Sequence, residues 1–338
     1  MCGLFGFSDP KHTLTQKQIR RLTGSLATAS EQRGTDASGI AYVQGQTLRI
    51  YKRPLPAHSM TWLVPTHTTA VMGHTRMTTQ GNSAFNPNNH PFPGICGDTR
   101  FALAHNGVLH NDALKQRCHL PKTNIQTDSY VAVQLLEQDG RLDAETIGNT
   151  AARLEGSFSL TILNQFNHLY LVKGNSPLCI YRFESGLICY ASTADILKEA
   201  LARCSFLPHR KEIVSLSEGD ILCIRPDGRL QMSRFDTSSL HKHLRWWDCG
   251  NYDCWMPQSR RLYRKDLRTS LDTLMETACN MGFLEDDVYL LLEEGFDESD
   301  IEELLNIYPE QSSGLNAAPA PSGRSRSQAR TNRRVRKM

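Results

Sequence analysis

The chain begins MCGLFGFSDP (residues 1–10), and the cysteine at position 2 governs how the rest is read. A secretory signal would open with positive charge and run into a longer apolar stretch; this start does neither. GLFGFS (3–8) reads instead as an apolar, glycine-punctuated strand. Two readings of Cys2 stand. It is an arbitrary residue behind the initiator methionine, or it becomes the N-terminus once Met1 is removed, which a small second residue permits. In the second case an α-amine with an unperturbed pKa of about 7.7–8.0 lies beside a thiol. Only the thiolate attacks, and the amine of the same residue would serve as its base near neutral pH.

Outward from this strand, short β-like runs recur to about residue 235. GIAYV, LRIYK, TAVMGHT, FALAHNG, SFSLTIL, HLYLVK, LICYAS and DILCIRP are each bounded by glycine, proline or asparagine. TLTQKQIRRLTGSLATAS reads as an amphipathic helix with a capping box from Thr15 to Gln18. DSYVAVQLLEQ and TADILKEALARC read as two more helices. Strands in runs with few helices predict stacked sheets covered by helices, an α+β arrangement, rather than a doubly wound parallel sheet.

Composition sets the bounds. The chain has 338 residues, 39% hydrophobic and 22% charged, with a net charge of +3; that is an ordinary globular balance. No apolar run approaches the roughly 20 residues that span a bilayer. Ten cysteines scattered along the chain, without a secretory signal, predict reduced thiols and a cytoplasmic protein. Cys249 and Cys254, a C-x4-C pair without a second pair, read as packing rather than zinc binding. No metal and no cofactor is expected. Four regions are expected: a main domain over 2–235, an aromatic-rich connector over 236–262, a small acidic helical unit over 263–310 and a disordered basic tail over 311–338. Seven Arg and Lys among the last 15 residues suit contact with a polyanion, or a solubilising end.

Five motifs give the chemistry. MCGLFGF, QRGTDASGI, GHTRMTTQG, AHNGVLHN and QTDSY occur in the order, and near the spacing, of a class II glutamine amidotransferase domain, which this region resembles. The resemblance covers about the first 200 to 230 residues. It implies the four-layer αββα sandwich of the N-terminal nucleophile hydrolases, and an enzyme that hydrolyses glutamine to glutamate and ammonia. Cys2 is then the nucleophile. Asn106 and Gly107 become donors to the oxyanion, a role that requires groups already aimed at the developing charge. Arg76 would grip the α-carboxylate of glutamine, Asp128 would pair with its ammonium, and Thr79 completes the substrate side. Arg33, Gly34, Asp36 and His74 are expected to buttress the site, with Gly34 and Gly39 in tight turns. The plainer readings are a turn at Asn106-Gly107, a strand-end arginine at Arg76, and Asp128 as the N-cap of the following helix, a role compatible with binding. His74 and His90 need not be bases, because the α-amine fills that role.

Members of the family carry HTRWATHG where this chain has HTRMTTQG; Met77 replaces the tryptophan and Gln80 the histidine. The family's usual fused synthase has no counterpart beyond residue 235, where no phosphate-loop motif is found. Ammonia would then pass to a separate acceptor protein. The alternatives are hydrolysis of another γ-glutamyl-type amide, or a non-catalytic interaction protein that keeps the fold.

Overall fold

The computed structural model describes residues 2–110 and 112–240, with backbone only at Asp112 and Ala113, and the single helical positions Leu274 and Val288. The expectations for Met1, for the Cys249/Cys254 pair and for the connector, helical unit and tail beyond residue 240 lie outside these residues. The chain divides into two units, Met1–Gly250 and Asn251–Met338.

From the N-terminus come β1 (Gly3–Ser8), α1 (Gln16–Ala29), β2 (Ala37–Gln44), β3 (Thr47–Arg53), β4 (Ala70–Arg76), β5 (Phe92–Cys96) and β6 (Thr99–Leu109). Helices α2 (Asp112–Arg117), α3 (Tyr130–Asp139) and α4 (Ala144–Arg153) precede β7 (Gly156–Asn164), β8 (Leu169–Lys173), β9 (Cys179–Phe183) and β10 (Ile188–Ala191). Then follow α5 (Ala194–Ala202), β11 (Lys211–Ile213), β12 (Asp220–Ile224) and β13 (Leu230–Arg234). One sheet runs β11-β9-β10-β1-β4-β2-β3 and the other β13-β12-β8-β7-β6-β5; neighbouring strands in both are antiparallel.

Three apolar layers explain why all six residues of β1 are buried. On one face Phe5 and Phe7 meet Ile19, Leu22 and Leu26 of α1 and Ile196 and Leu197 of α5. On the other, Leu4 joins Met72, Ala102, Leu171, Tyr190 and Leu222 between the sheets. A third layer packs Val131, Leu135, Ile147 and Ala151 of α3 and α4 against Phe101, Phe158 and Leu160. A strand covered on both faces loses the apolar–polar alternation of a half-exposed one. This order of helix, sheet, sheet and helix layers is the expected αββα sandwich.

The anticipated strands and three helices all form. Thr15 and Gln18 close the capping box, with Thr15 N–H donating to Gln18 Oε1 at 2.8 Å and Gln18 N–H to Thr15 Oγ1 at 3.4 Å. The additional elements are β5, β9, β11, β13, α2 and α4. Three of these strands lie at sheet edges, where one partner suffices and proline or charge is tolerated; β5 carries Pro93 and β11 is fully exposed. Two sequence expectations are corrected. Gly39 lies mid-strand in β2, paired with Lys52 and His74, not in a turn. Asp128 does not cap α3: the capping position is Ser129, whose side chain makes no cap bond. The Asp128 carboxylate instead accepts from the Leu109 N–H at 2.7 Å, so the backbone of β6, rather than a helix end, takes it.

Candidate active site

Cys2 stands where β1 begins, at the centre of its sheet, with Thr75 of β4 opposite Gly3. Adjacent strands therefore deliver Cys2 and Arg76 to the same end of the sandwich. The Cys2 Sγ–H donates to the Met77 carbonyl at 3.5 Å. Although the residue keeps partial exposure, desolvation of the thiol pushes its pKa up, against the smaller opposing influences of that bond and of Arg76. A thiol so placed stays protonated at neutral pH and needs a base to become nucleophilic.

Arg33 ties Cys2 to Asn106. Its Nε–H donates to the Cys2 carbonyl at 2.9 Å and its Nη2 to Asn106 Oδ1 at 3.4 Å. With Oδ1 held, the other end of the amide is fixed: Asn106 Nδ2 is buried and finds no acceptor among the described residues. Buried donors are nearly always satisfied, so this one stands out beside Cys2. Gly107 follows with φ 137°, and a Cβ there would fall 2.0 Å from the Ser157 carbonyl oxygen; no other residue fits. Gly34 is likewise dictated by space, since a Cβ would lie 2.3 Å from the Arg76 carbonyl carbon. Asp36 accepts from the Thr78 N–H at 2.7 Å and so holds the start of the loop after β4. The expected buttressing residues Arg33, Gly34 and Asp36 thus pack around Cys2 and Arg76.

Arg76 is only 3% exposed. Its Nη1 donates to Asn89 Oδ1 at 2.7 Å and its Nη2 to the Gln80 carbonyl at 2.5 Å. A guanidinium has five N–H donors, and these two bonds use one on each terminal nitrogen. Thr79 is exposed, three residues past the end of β4. Met77 is 52% exposed, while its backbone faces Cys2. Gln80 contributes its carbonyl to Arg76 rather than its side chain.

A buried histidine trio sits behind the site. His74 Nε2–H donates to the His105 carbonyl at 3.0 Å, and the His74 and His90 rings stack at 4.0 Å. His105 Nε2–H donates to the Ser157 carbonyl at 3.2 Å. Ser129 Oγ lies 2.8 Å from His105 Nδ1 and 3.2 Å from Asp128 Oδ1, with one proton to share between them. Burial lowers the pKa of all three rings: His74 to about 3, His90 well below its ordinary value, and His105 below it despite the opposing charge of Asp128. They are neutral at physiological pH. His74 is thus a buried ring held by its bond to the His105 carbonyl.

Sequence reasoning passed over Asn89 and Lys52. Lys52 Nζ donates to the Asn89 carbonyl and lies over the Phe92 ring, 5.1 Å from its centroid. The stretch PNNHP reads as a polar turn, and Lys52 as a strand lysine; no spacing signal links either to Arg76.

Residues 1–154 match the family model described as glutamine amidotransferases class-II. The isomerizing glutamine–fructose-6-phosphate aminotransferase of Geobacillus kaustophilus is 31% identical over 192 residues, 53% of this chain and 30% of that enzyme. Its counterpart in Listeria monocytogenes is 27% identical over 238 residues, 68% of this chain and 36% of the other. The chain thus spans well under half the length of these curated relatives. Among solved structures, the glutamine phosphoribosylpyrophosphate amidotransferase from B. subtilis aligns with a TM-score of 0.54 at 21% identity, over 70% of this chain and 50% of its own. The allosteric regulatory enzyme of purine biosynthesis aligns at 0.56 and 20% identity over the same shares. Both share the sandwich fold. Motifs, fold and family model agree, and residues 1–154 of this chain belong to a class II glutamine amidotransferase domain.

Proposed function

We propose that this protein hydrolyses the side-chain amide of glutamine and passes the ammonia to a separate acceptor protein. The observation that carries the reading is the buried, unpartnered Asn106 Nδ2 held beside Cys2 by Arg33. In the proposed sequence the α-amine of Cys2, freed by removal of Met1, takes the thiol proton as sulfur attacks the amide carbon. Negative charge gathers on the carbonyl oxygen, where Asn106 Nδ2 and the Gly107 N–H receive it. The amine returns its proton to the departing nitrogen and ammonia leaves a thioester on Cys2. Water, deprotonated by the same amine, then releases glutamate. The three remaining N–H groups of Arg76 would take the α-carboxylate and Asp128 the α-ammonium.

Intact mass and turnover test this together. Active protein should begin at Cys2, and Cys2→Ala should abolish hydrolysis while leaving the melting temperature unchanged. Retention of Met1 on active protein would remove the base and sink the mechanism. A second reading, hydrolysis of a γ-glutamyl peptide or related amide, draws support from the exposed Met77 side chain beside the nucleophile, which leaves room for a substituent on the amide nitrogen. Comparing kcat/KM for glutamine and γ-glutamyl peptides separates the two.

A further inference from the structure

Arg76 does not reach its position by strand geometry alone. It ends β4, and the next 12 residues loop out before the chain returns at Asn89. Asn89 is fully buried and every polar group of its side chain is engaged. Oδ1 takes Arg76 Nη1 at 2.7 Å, and Nδ2 donates to the Ser83 carbonyl at 2.8 Å and to Asn86 Oδ1 at 3.3 Å. Its backbone carbonyl is held by Lys52 Nζ, while Asn86 Nδ2 donates back to the Lys52 carbonyl at 3.1 Å. β3 and the loop therefore grip each other on both sides of Asn89. An amide so constrained cannot rotate without breaking several bonds, and networks of this kind fix the groups they hold.

The chemistry of the brace matters as much as its rigidity. A carboxylate at position 89 would hold Arg76 equally well but would neutralise it. An amide holds it and leaves the charge for a ligand. Lys52 reinforces this, since no carboxylate pairs with it among the described residues. Two half-buried or buried cations, Lys52 and Arg76, thus share one region whose neutral anchor is Asn89. Burial and the nearby Arg76 push the Lys52 ammonium down to about 8, the response expected of a cation short of negative charge.

We propose that Asn89, anchored from β3 by Lys52, is a positioning residue that presents the Arg76 guanidinium, held by amide and carbonyl oxygens and not by an ion pair among the described residues, to the α-carboxylate of the substrate. The proposal rests on Arg76 as the partner of that carboxylate. Asn89 touches neither the amide nor Cys2, so its effect falls on substrate affinity and not on the bond-breaking step.

The test uses the full chain and three readouts: KM and kcat for glutamine, protection of Cys2 by glutamate, and the rate at which iodoacetamide alkylates Cys2, followed on its own peptide by mass spectrometry. Iodoacetamide has no α-carboxylate, so it reports on the thiol alone. Asn89→Ala should raise KM and the glutamate protection constant about tenfold, the equivalent of one charge-assisted hydrogen bond. Its kcat and its alkylation rate should stay within about twofold. Asn89→Asp keeps an oxygen for Arg76 but sets the other against the Ser83 carbonyl and Asn86 Oδ1; it should bind glutamine more weakly than Asn89→Ala, with thermal melts confirming that both variants fold. Lys52→Met should move in the same direction by a few-fold. Unchanged KM in Asn89→Ala and Asn89→Asp, or a parallel fall in kcat and alkylation, would overturn the brace. Arg76→Lys separates the two levels: if it leaves KM and protection unchanged, the carboxylate reading fails with the brace, and if it raises them while Asn89→Asp does not, the brace alone fails.

Discussion

The two sides of the site are built on different principles. The proposed nucleophile side rests on strands: Cys2 opens the central β1, and Asn106-Gly107 lies within β6, paired residue for residue with Ser159-Phe158 of β7. On the proposed recognition side Arg76 closes β4, but its guanidinium is held from a loop, residues 77–89, fastened by side chains such as Asp36, Asn88 and Asn89. A ladder holds its residues by backbone bonds that no substitution short of proline removes. A side-chain-fastened loop depends on each amide. Substitutions on the strand side should therefore strike the chemical step, and those on the loop side should strike affinity.

The sharpest test of that division is Asn106→Ala. It should lower kcat by about 10²–10³-fold, the usual loss for one oxyanion donor, with little change in KM or stability. A sharp drop in melting temperature with the rate per folded molecule intact would make Asn106 a structural residue of β6 only, and the division would fail on its firm side.

On the loop side, Arg76→Lys keeps the charge but loses the planar fork. The KM for glutamine should rise by roughly tenfold or more with kcat changed only a few-fold. Asp128→Asn should act in the same direction, though its bond from the Leu109 N–H also touches the strand side, so some loss of stability should accompany it. A fall in kcat at constant KM for Arg76→Lys would erase the contrast.

The smallest expected effect concerns the histidines that lie between the two sides. Buried His74, His90 and His105 are neutral in the fold, whereas in the unfolded chain they titrate near 6.5. Below that pH the unfolded chain binds more protons, so stability falls as pH drops through 6.5 and keeps falling towards the folded value of about 3 for His74. The slope is about 1.4 kcal/mol per pH unit for each ring that stays neutral. His90 has both ring nitrogens without a partner, so His90→Leu should flatten the profile between pH 6 and 4.5 by about one proton's worth. Thermal melts over that range check it, and an unchanged slope would mean that His90 protonates within the fold.

What the sequence determined by itself was local chemistry and chain direction. A cysteine behind the initiator, an Asn-Gly pair in an apolar run, an arginine closing GHTR and an acid before a helical run stand out in the sequence because each expectation depends on residue type and a few neighbours. Most strands with two partners were legible too, since burial on both faces writes an apolar run into them; β9, paired with β10 and β11, was the exception. Tertiary structure decided the rest. The edge strands β5, β11 and β13 need one neighbour and little burial, so they leave a weak pattern. Asp128 as an acceptor for β6, rather than a helix cap, depends on a strand 19 residues earlier. Arg33 bridging Cys2 and Asn106 joins residues 31 and 73 positions away, and Lys52 reaches Asn89 across 37. Such pairings come from strand order and register, which place distant side chains within hydrogen-bond reach only after both sheets have assembled.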